Sequence, residues 1–356
     1  MRPALKDYYL SKIDFLQAAI RDTVPENLTQ DLLDIMIGGK SYPLTPETLN
    51  GPVYQPMREY IKVRGKLFRP LITCMFIEGY GKNADQFKTI LAISEIIHSC
   101  SLILDDIADS SLLRRGNPCS HKIYGIPRAA NGSSAMTFLT FRLIESKLLT
   151  FDTSTKIKLY EMLLWEHYIT SIGSALDLGW TKEKLTEIPQ NEYIQHILFR
   201  SCSYTYRHAA RLGAIVAGAD ATDLKLVYQY SSLLGIAFQF IDDILNLKPE
   251  SPAWGKTPGE DITEGKRSPL ILHALKCANT EDRARLLEIL DGNITDIKVI
   301  NECILILEKY ESFEVVRKQA IGYIDQACDV IEKSKISAEF KILFREFALY
   351  VIERKV

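Results

Sequence analysis

KTILAISEIIHSCSLILDDIAD, residues 88–109, carries apolar side chains at three-to-four spacing through several turns and ends in a cluster of aspartates. That period is the period of a helix, not of a strand. DLKLVYQYSSLLGIAFQFIDDILNL (223–247) and SPLILHALKCA (268–278) repeat it, and no stretch shows a convincing strand alternation, so the chain is predicted to be all-α. Breakers mark the joints at 38–52, RRGNP (114–118), 125–134 and 248–261. None is long or polar enough for a linker between domains, and there is no fixed-period repeat or low-complexity tract. A single domain over 1–356 is therefore expected: an N-terminal helical extension (1–55), a motif-bearing core (60–270) and C-terminal helices (271–356).

The aspartates closing the first helix stand at i, i+1 and i+4. Asp105 and Asp109 stack one turn apart, and Asp106 lies about 100° round from Asp105, so three carboxylates project towards one volume. Like charges so close destabilise a helix unless neutralised, and hard oxygen donors with open positions suit Mg²⁺ shared with a substrate's phosphates. Taken alone, the pattern is also that of a solvated acidic face. It recurs, however, in FQFIDDILNL (238–247), where Asp242, Asp243 and Asn246 keep the spacing inside an apolar segment. Adjacent carboxylates there call for a paired charge or a metal.

Basic groups interleave with these clusters. RGKLFRP (64–70) sets Lys66 and Arg69 three apart, on one side of a single helical turn if helical, which would offer a point charge and a planar fork to a phosphate. A solvated turn with two bases is the alternative. Arg114 and Arg115 follow the first acidic helix; adjacent helical residues do not share a face, so the two would serve different anions. His98, in the apolar run EIIHSCSLIL, reads in isolation as a satisfied core histidine. Lys256 and Lys266 bracket GEDITEG, where Gly255, Gly259 and Gly265 suit a flap closing over phosphates or else an exposed, solubilising loop.

Composition narrows the partners. The chain has 356 residues, 47% hydrophobic and 25% charged, and a net charge of −2, with no basic block of the kind that marks a nucleic-acid footprint. Its seven cysteines form no CxxC pair, which points to a reducing cytoplasm, no disulfide framework and no zinc site. The N-terminus lacks the features of a signal peptide, and no stretch is read as approaching the ~20 apolar residues of a membrane span.

Taken together, GKLFRP, DDIAD with RRGNP and SH, GSALDLGW, FQFIDD and GKTPGEDITEGK resemble the trans-isoprenyl diphosphate synthases, the eukaryotic-type geranylgeranyl diphosphate synthases in particular, from about residue 60 to 270. The resemblance implies a single helical bundle of the isoprenoid synthase type around a deep central cavity, a homodimer, and three Mg²⁺ per site. It also implies that Asp105, Asp106 and Asp109 hold Mg²⁺ against an allylic diphosphate and that Asp242 and Asp243 hold a further Mg²⁺ from the facing helix. Lys66, Arg69, His98 and Arg115 match the isopentenyl diphosphate seat. Arg114, Lys256 and Lys266 match the allylic grip, and Gln239 sits near the allylic group.

The reaction so implied is ionisation of the allylic C–O bond, attack by the double bond of isopentenyl diphosphate, and loss of a proton to the departing pyrophosphate, in a pocket poor in water. Three positions depart from the family pattern. Asn246 replaces an aspartate and weakens one metal ligand, Arg200-Ser201 stands for Lys-Thr in the substrate-binding set, and Ser174 stands where glutamine is common. For product length, Ser101 and Cys100 lie one turn deeper than Asp105; both are small, so the floor is open beyond fifteen carbons, with Thr137, Phe138 and Ser171 as the next candidates. Twenty carbons is the expected product, farnesyl or longer chains being the alternatives, with peripheral membrane contact on product release. A terpene cyclase would need no second diphosphate seat, and a silent partner subunit would be expected to lose acidic residues or the arginine pair.

Overall fold

The structure, a computed structural model, describes residues 1–39, 43–62, 65–146, 148–250, 258–292 and 294–355. Helices dominate: α1 (Pro3–Thr23), α2 (Phe68–Gly79), α3 (Lys88–Ala108), α4 (Ile126–Glu145), α5 (Thr153–Lys182), α6 (Gln190–Cys202), α7 (His208–Ala217), α8 (Ala221–Leu247), α9 (Ser312–Glu332) and α10 (Ala338–Glu353), joined by shorter ones. The all-α expectation holds. Among the described residues the only strands are Leu113–Arg114 and Asn117–Pro118, which pair antiparallel.

The segment quoted first is the central helix. In α3 every side chain from Thr89 to Cys100 is buried, against α1, α2 and α4, and the helix opens to a cavity only at its last turns. The helix spanning 84–108 is long and apolar enough to cross a membrane by length and composition, which corrects the expectation that no stretch approaches that size. Of its apolar window 72% lies inside the protein, so its hydrophobicity is spent on the core. One contiguous hydrophobic core includes residues from Leu5 to Val351. Arg2 pairs with Glu353 at 2.6 Å, and the Leu5 backbone N–H donates to Glu346 at 2.7 Å, tying α1 to α10.

α6 is clamped between α5 and α8 by two glycines. A Cβ on Gly173 would stand 2.5 Å from the Arg200 backbone nitrogen, and one on Gly235 would stand 2.5 Å from Cys202 Sγ. Only a residue without a side chain lets these helices approach so closely, and that approach brings α6 between the two acidic helices. RRGNP forms a tight hairpin in which Arg115 (φ 53°) and Gly116 (φ 77°) are both left-handed, the pattern of a type I′ turn. The two arginines therefore sit on a hairpin and not on a helix, and they diverge for that reason.

Candidate active site

The last turns of α3, the middle of α5, the length of α6 and the end of α8 enclose a cavity of ≈ 600 Å³. Among the described residues six aspartates line it, Asp105, Asp109, Asp177, Asp242, Asp243 and Asp261, against five Lys/Arg: Arg69, Arg114, Arg200, Lys266 and Arg267. The two acidic motifs face this one hollow. Lys266 spans it, 3.2 Å from Asp261 on the α8 side and 3.8 Å from Asp109 on the α3 side. Arg200 does the same between Asp177, at 2.9 Å, and Asp105, at 3.7 Å. Burial by itself lowers the Lys266 pKa, but Asp261, Asp109 and Glu264 together hold it well above the ordinary range.

The carboxylates differ in state. Burial pushes the Asp105 carboxyl up despite Arg200, and burial reinforced by Asp261 pushes Asp243 well up. Asp243 accepts from Gln239 Nε2 at 2.7 Å and from the Tyr193 hydroxyl at 3.3 Å. Asp242 is paired with Arg354, from the C-terminal segment, at 2.9 Å.

Two members of the expected metal set point elsewhere. Asp106 is fully buried and turned away from the cavity. It accepts from the Tyr60 hydroxyl and from Arg114 through Nε, at 3.0 Å, and Nη2. The expectation that three carboxylates converge is thus corrected to two, because the 100° offset carries Asp106 under the hairpin, where it anchors Arg114. Asn246, 1% exposed, does not line the cavity either: its Oδ1 accepts from the Asp261 backbone N–H at 3.2 Å, and its carbonyl accepts from Gly259 at 2.9 Å. It braces the loop that delivers Asp261.

The basic residues form a second cluster at the α2 end. Arg69 and His98 line the cavity. The Arg115 guanidinium lies against Gly65, where a Cβ would be 2.8 Å from Nη2, and its charge is felt by His98 and by buried Glu95. Burial, then Arg69 and Arg115, keep His98 well below its ordinary pKa and hence neutral. Burial, opposed by Glu95, holds Arg69 down at about 10, and among the described residues its buried Nε has no acceptor. Lys66 does not share a helical turn with Arg69, since Leu67 is left-handed (φ 52°) and α2 begins after it. Its Nζ sits 3.4 Å from the Tyr350 hydroxyl and 5.9 Å from the centre of the Phe68 ring. Lys256 lies outside the described residues.

Comparison with known proteins places the chain in a family. Residues 51–307 match the polyprenyl synthetase family model. The chain belongs to the polyprenyl synthetase family. With it, the protein falls among the trans-prenyltransferases. It is 28% identical over 315 residues to a short chain isoprenyl diphosphate synthase of Methanothermobacter thermautotrophicus, covering 88% of this chain and 92% of that one. It is 30% identical over 259 residues to a geranylgeranyl diphosphate synthase of Saccharolobus solfataricus, covering 73% and 74%. A solved geranylgeranyl pyrophosphate synthase from Corynebacterium glutamicum, complexed with isoprenyl diphosphate and magnesium, superposes with a TM-score of 0.80 over 95% of this chain and 98% of that one; at 21% identity the likeness speaks for the fold.

At the cavity's apolar end the family member shows small side chains. Ser101, Ser171, Ser174 and Ala175 line it beside Leu104 and Leu178, and Ser201 lines its α6 wall. Cys100 points the other way. It is buried under α4, and its carbonyl accepts from the Ser133 hydroxyl at 2.9 Å, with Thr137 beside it. Phe138 is 63% exposed on the outer side of α4, so within one chain it closes nothing. Of the chain-length candidates, Ser101 and Ser171 face the cavity while Cys100, Thr137 and Phe138 do not line it.

Asp177, Asp261, Glu95, Tyr193 and Arg354 were not singled out from sequence. Asp177 and Asp261 stand inside motifs that were, GSALDLGW and GEDITEG, and an acid within a long apolar helix was the available signal for the first. Arg354 carries no local signal, because its partner is 112 residues away.

Proposed function

We propose that this protein condenses isopentenyl diphosphate head to tail with an allylic diphosphate, giving geranylgeranyl diphosphate and pyrophosphate, with Mg²⁺ as the metal. The observation that carries the reading is the pairing of two features: carboxylates on facing helices across one hollow, and a separate seat in which the cations Arg69 and Arg115 flank neutral His98 and where, among the described residues, the buried Arg69 Nε has no acceptor. A cyclase has no use for the second.

The donor set fits magnesium held jointly with phosphate. Among the described residues no three His, Cys, Asp or Glu converge into a ready-made cage. An octahedral ion that keeps waters and takes only one or two carboxylates needs none. Asp105 and Asp109 on one side and Asp242 and Asp243 on the other would hold it, three ions completing the count that the family resemblance suggests. Bound there, magnesium supplies positive charge to the diphosphate leaving group. Arg114, Arg200 and Lys266 add charge at the same oxygens. Asp106 keeps Arg114 aimed, and Asn246 does the same for Asp261. Arg69, His98 and Arg115 seat the second diphosphate so that its double bond lies near the allylic carbon. Tyr204, Phe238 and Leu102 contribute apolar wall that keeps water from the cation. The proton leaves with the pyrophosphate, since no side chain is needed as base.

The reading extends to assembly and place. Phe138 on α4 and Ile157, Leu164, Trp165 and Tyr168 on α5 are 50–63% exposed and lie on the outer side of the cavity wall. A second copy of the chain covering this face gives the homodimer. A cytoplasmic protein touching membrane only to release its apolar product completes the proposal.

Purified protein incubated with Mg²⁺, isopentenyl diphosphate and dimethylallyl, geranyl or farnesyl diphosphate should yield a twenty-carbon diphosphate, and nothing once the metal is chelated. Products stopping at fifteen carbons or running past twenty would refute the product assignment, and a cyclic hydrocarbon would refute elongation. Trp165→Glu should convert the dimer to a monomer in light scattering; a wild type already monomeric refutes the homodimer.

A further inference from the structure

Behind the second acidic motif lies another cavity, ≈ 760 Å³, that the proposed reaction does not use. Its apolar wall includes Phe240, Leu272 and Val316, from α8, the helix 269–277 and α9. Its rim carries Lys276 and Arg283 against one acid, Glu187, whose side chain is 85% exposed and 3.4 Å from Arg283; Arg283 also donates through Nη1 to the Leu275 carbonyl and has Nη2 left for a ligand beside Glu187. His273, also in the lining, is kept below its ordinary pKa by burial and by Lys276 and adds no charge at neutral pH. An apolar chamber of drug-sized volume whose edge, two cations against one exposed acid, is net positive selects an amphiphile: an apolar body with an anionic head.

The wall between the two cavities is thin and chemically relevant. Tyr193 lines both, and its hydroxyl reaches Asp243 at 3.3 Å. Phe240 projects into this chamber while its chain neighbours Gln239, Asp242 and Asp243 line the other. Pro269 continues directly from Lys266, Arg267 and Ser268 of the active cavity. A body seated against Tyr193 and Phe240 therefore presses on the side chain that hydrogen-bonds Asp243.

We propose that this rear cavity is a second ligand site for an amphiphilic anion, and that its occupancy is transmitted through Tyr193 to Asp243. The binding half stands on the cavity alone; the coupling half rests on the reading of Asp243 as a metal-side carboxylate.

Dodecanoate is the probe, titrated calorimetrically with the active cavity filled by Mg²⁺ and pyrophosphate, and dodecanol is its neutral counterpart. One dodecanoate should bind per chain. Leu272→Trp, which fills the chamber, should weaken it at least tenfold, and Lys276→Gln with Arg283→Gln should weaken dodecanoate severalfold but not dodecanol. Should Leu272→Trp fail to fold by circular dichroism, Val316→Phe takes its place. In wild type, dodecanoate should shift the Mg²⁺ concentration for half-maximal turnover at least threefold, and Tyr193→Phe should abolish the shift. Binding indifferent to the filling variants overturns the site, equal binding of alcohol and acid overturns the anion preference, and an unmoved Mg²⁺ requirement overturns the coupling. A protein that binds dodecanoate as described but makes no prenyl product keeps the site and loses the proposed function.

Discussion

Asp106→Asn should unfold the protein more easily, whereas Asp105→Asn, its neighbour in the same motif, should leave stability nearly unchanged. Asp106 is 0% exposed and accepts from Tyr60 and twice from Arg114. Removing one partner of a buried pair costs ~3–5 kcal/mol, because the other charge stays behind without compensation. The Arg114 side chain is 21% exposed and regains some water, which places the loss near the lower end, about 3 kcal/mol. In a chain of this length that is roughly 5 °C in Tm. Asp105 is different: its side chain is 37% exposed, and burial and Asp109 both work against its charge, so an amide there changes stability by no more than ~0.5 kcal/mol. Activity should reverse the order, with Asp105→Asn losing about a hundredfold or more in kcat as a group facing developing charge is removed. Guanidinium unfolding of both variants beside wild type, with steady-state kinetics on the same preparations, tests this. Equal stability of Asp106→Asn and wild type would refute the division of the motif into one anchoring and two cavity-facing acids.

Three further outcomes are expected. Arg354→Ala removes one cation from Asp242, a pair at 2.9 Å worth about 1 kcal/mol, so half-saturating Mg²⁺ should fall about fivefold in a titration of activity; an unchanged value shows that the arginine does not compete for that carboxylate. His196 is held at about 4 by burial, Asp177 opposing. As pH falls from about 6.5 towards 4 the unfolded chain takes up a proton that the native one refuses, so stability declines across that window, by about 2 kcal/mol between pH 7 and 5. Unfolding of His196→Gln should show that much less acid loss than wild type, and parallel curves would contradict it. Ser101→Phe should shorten the product as read by chromatography, because Ser101 lines the cavity, while Cys100→Phe should instead cost about 1–3 kcal/mol by overpacking under α4; a shorter product from Cys100→Phe with Ser101→Phe unaltered would reverse the assignment.

The legibility of this chain followed the range of the interactions. The 3.6 period of 88–109 and 223–247 announced helices because the period belongs to the segment itself, and the spacing of Asp105 with Asp109 announced a shared face for the same reason. RRGNP was read as a joint but its arginines were placed on a helix, and the positive φ of Arg115 and Gly116 that makes it a hairpin came from the pairing of Leu113 with Pro118.

By itself, then, the sequence determined which segments are helical, which of them carry charge that a core would not tolerate, and that two such clusters need a common counter-charge. Only the tertiary structure decided which member of each cluster meets the cavity. Asp106 and Asn246 occupy motif positions, but the Asp106 carboxylate accepts from Tyr60 and Arg114 and the Asn246 Oδ1 accepts from the loop of Asp261, while Arg354 arrives from 112 residues away. A motif fixes the direction of a side chain only relative to its own helix axis; what lies in that direction depends on how close neighbouring helices come, and here two glycines in contact with α6 set that distance.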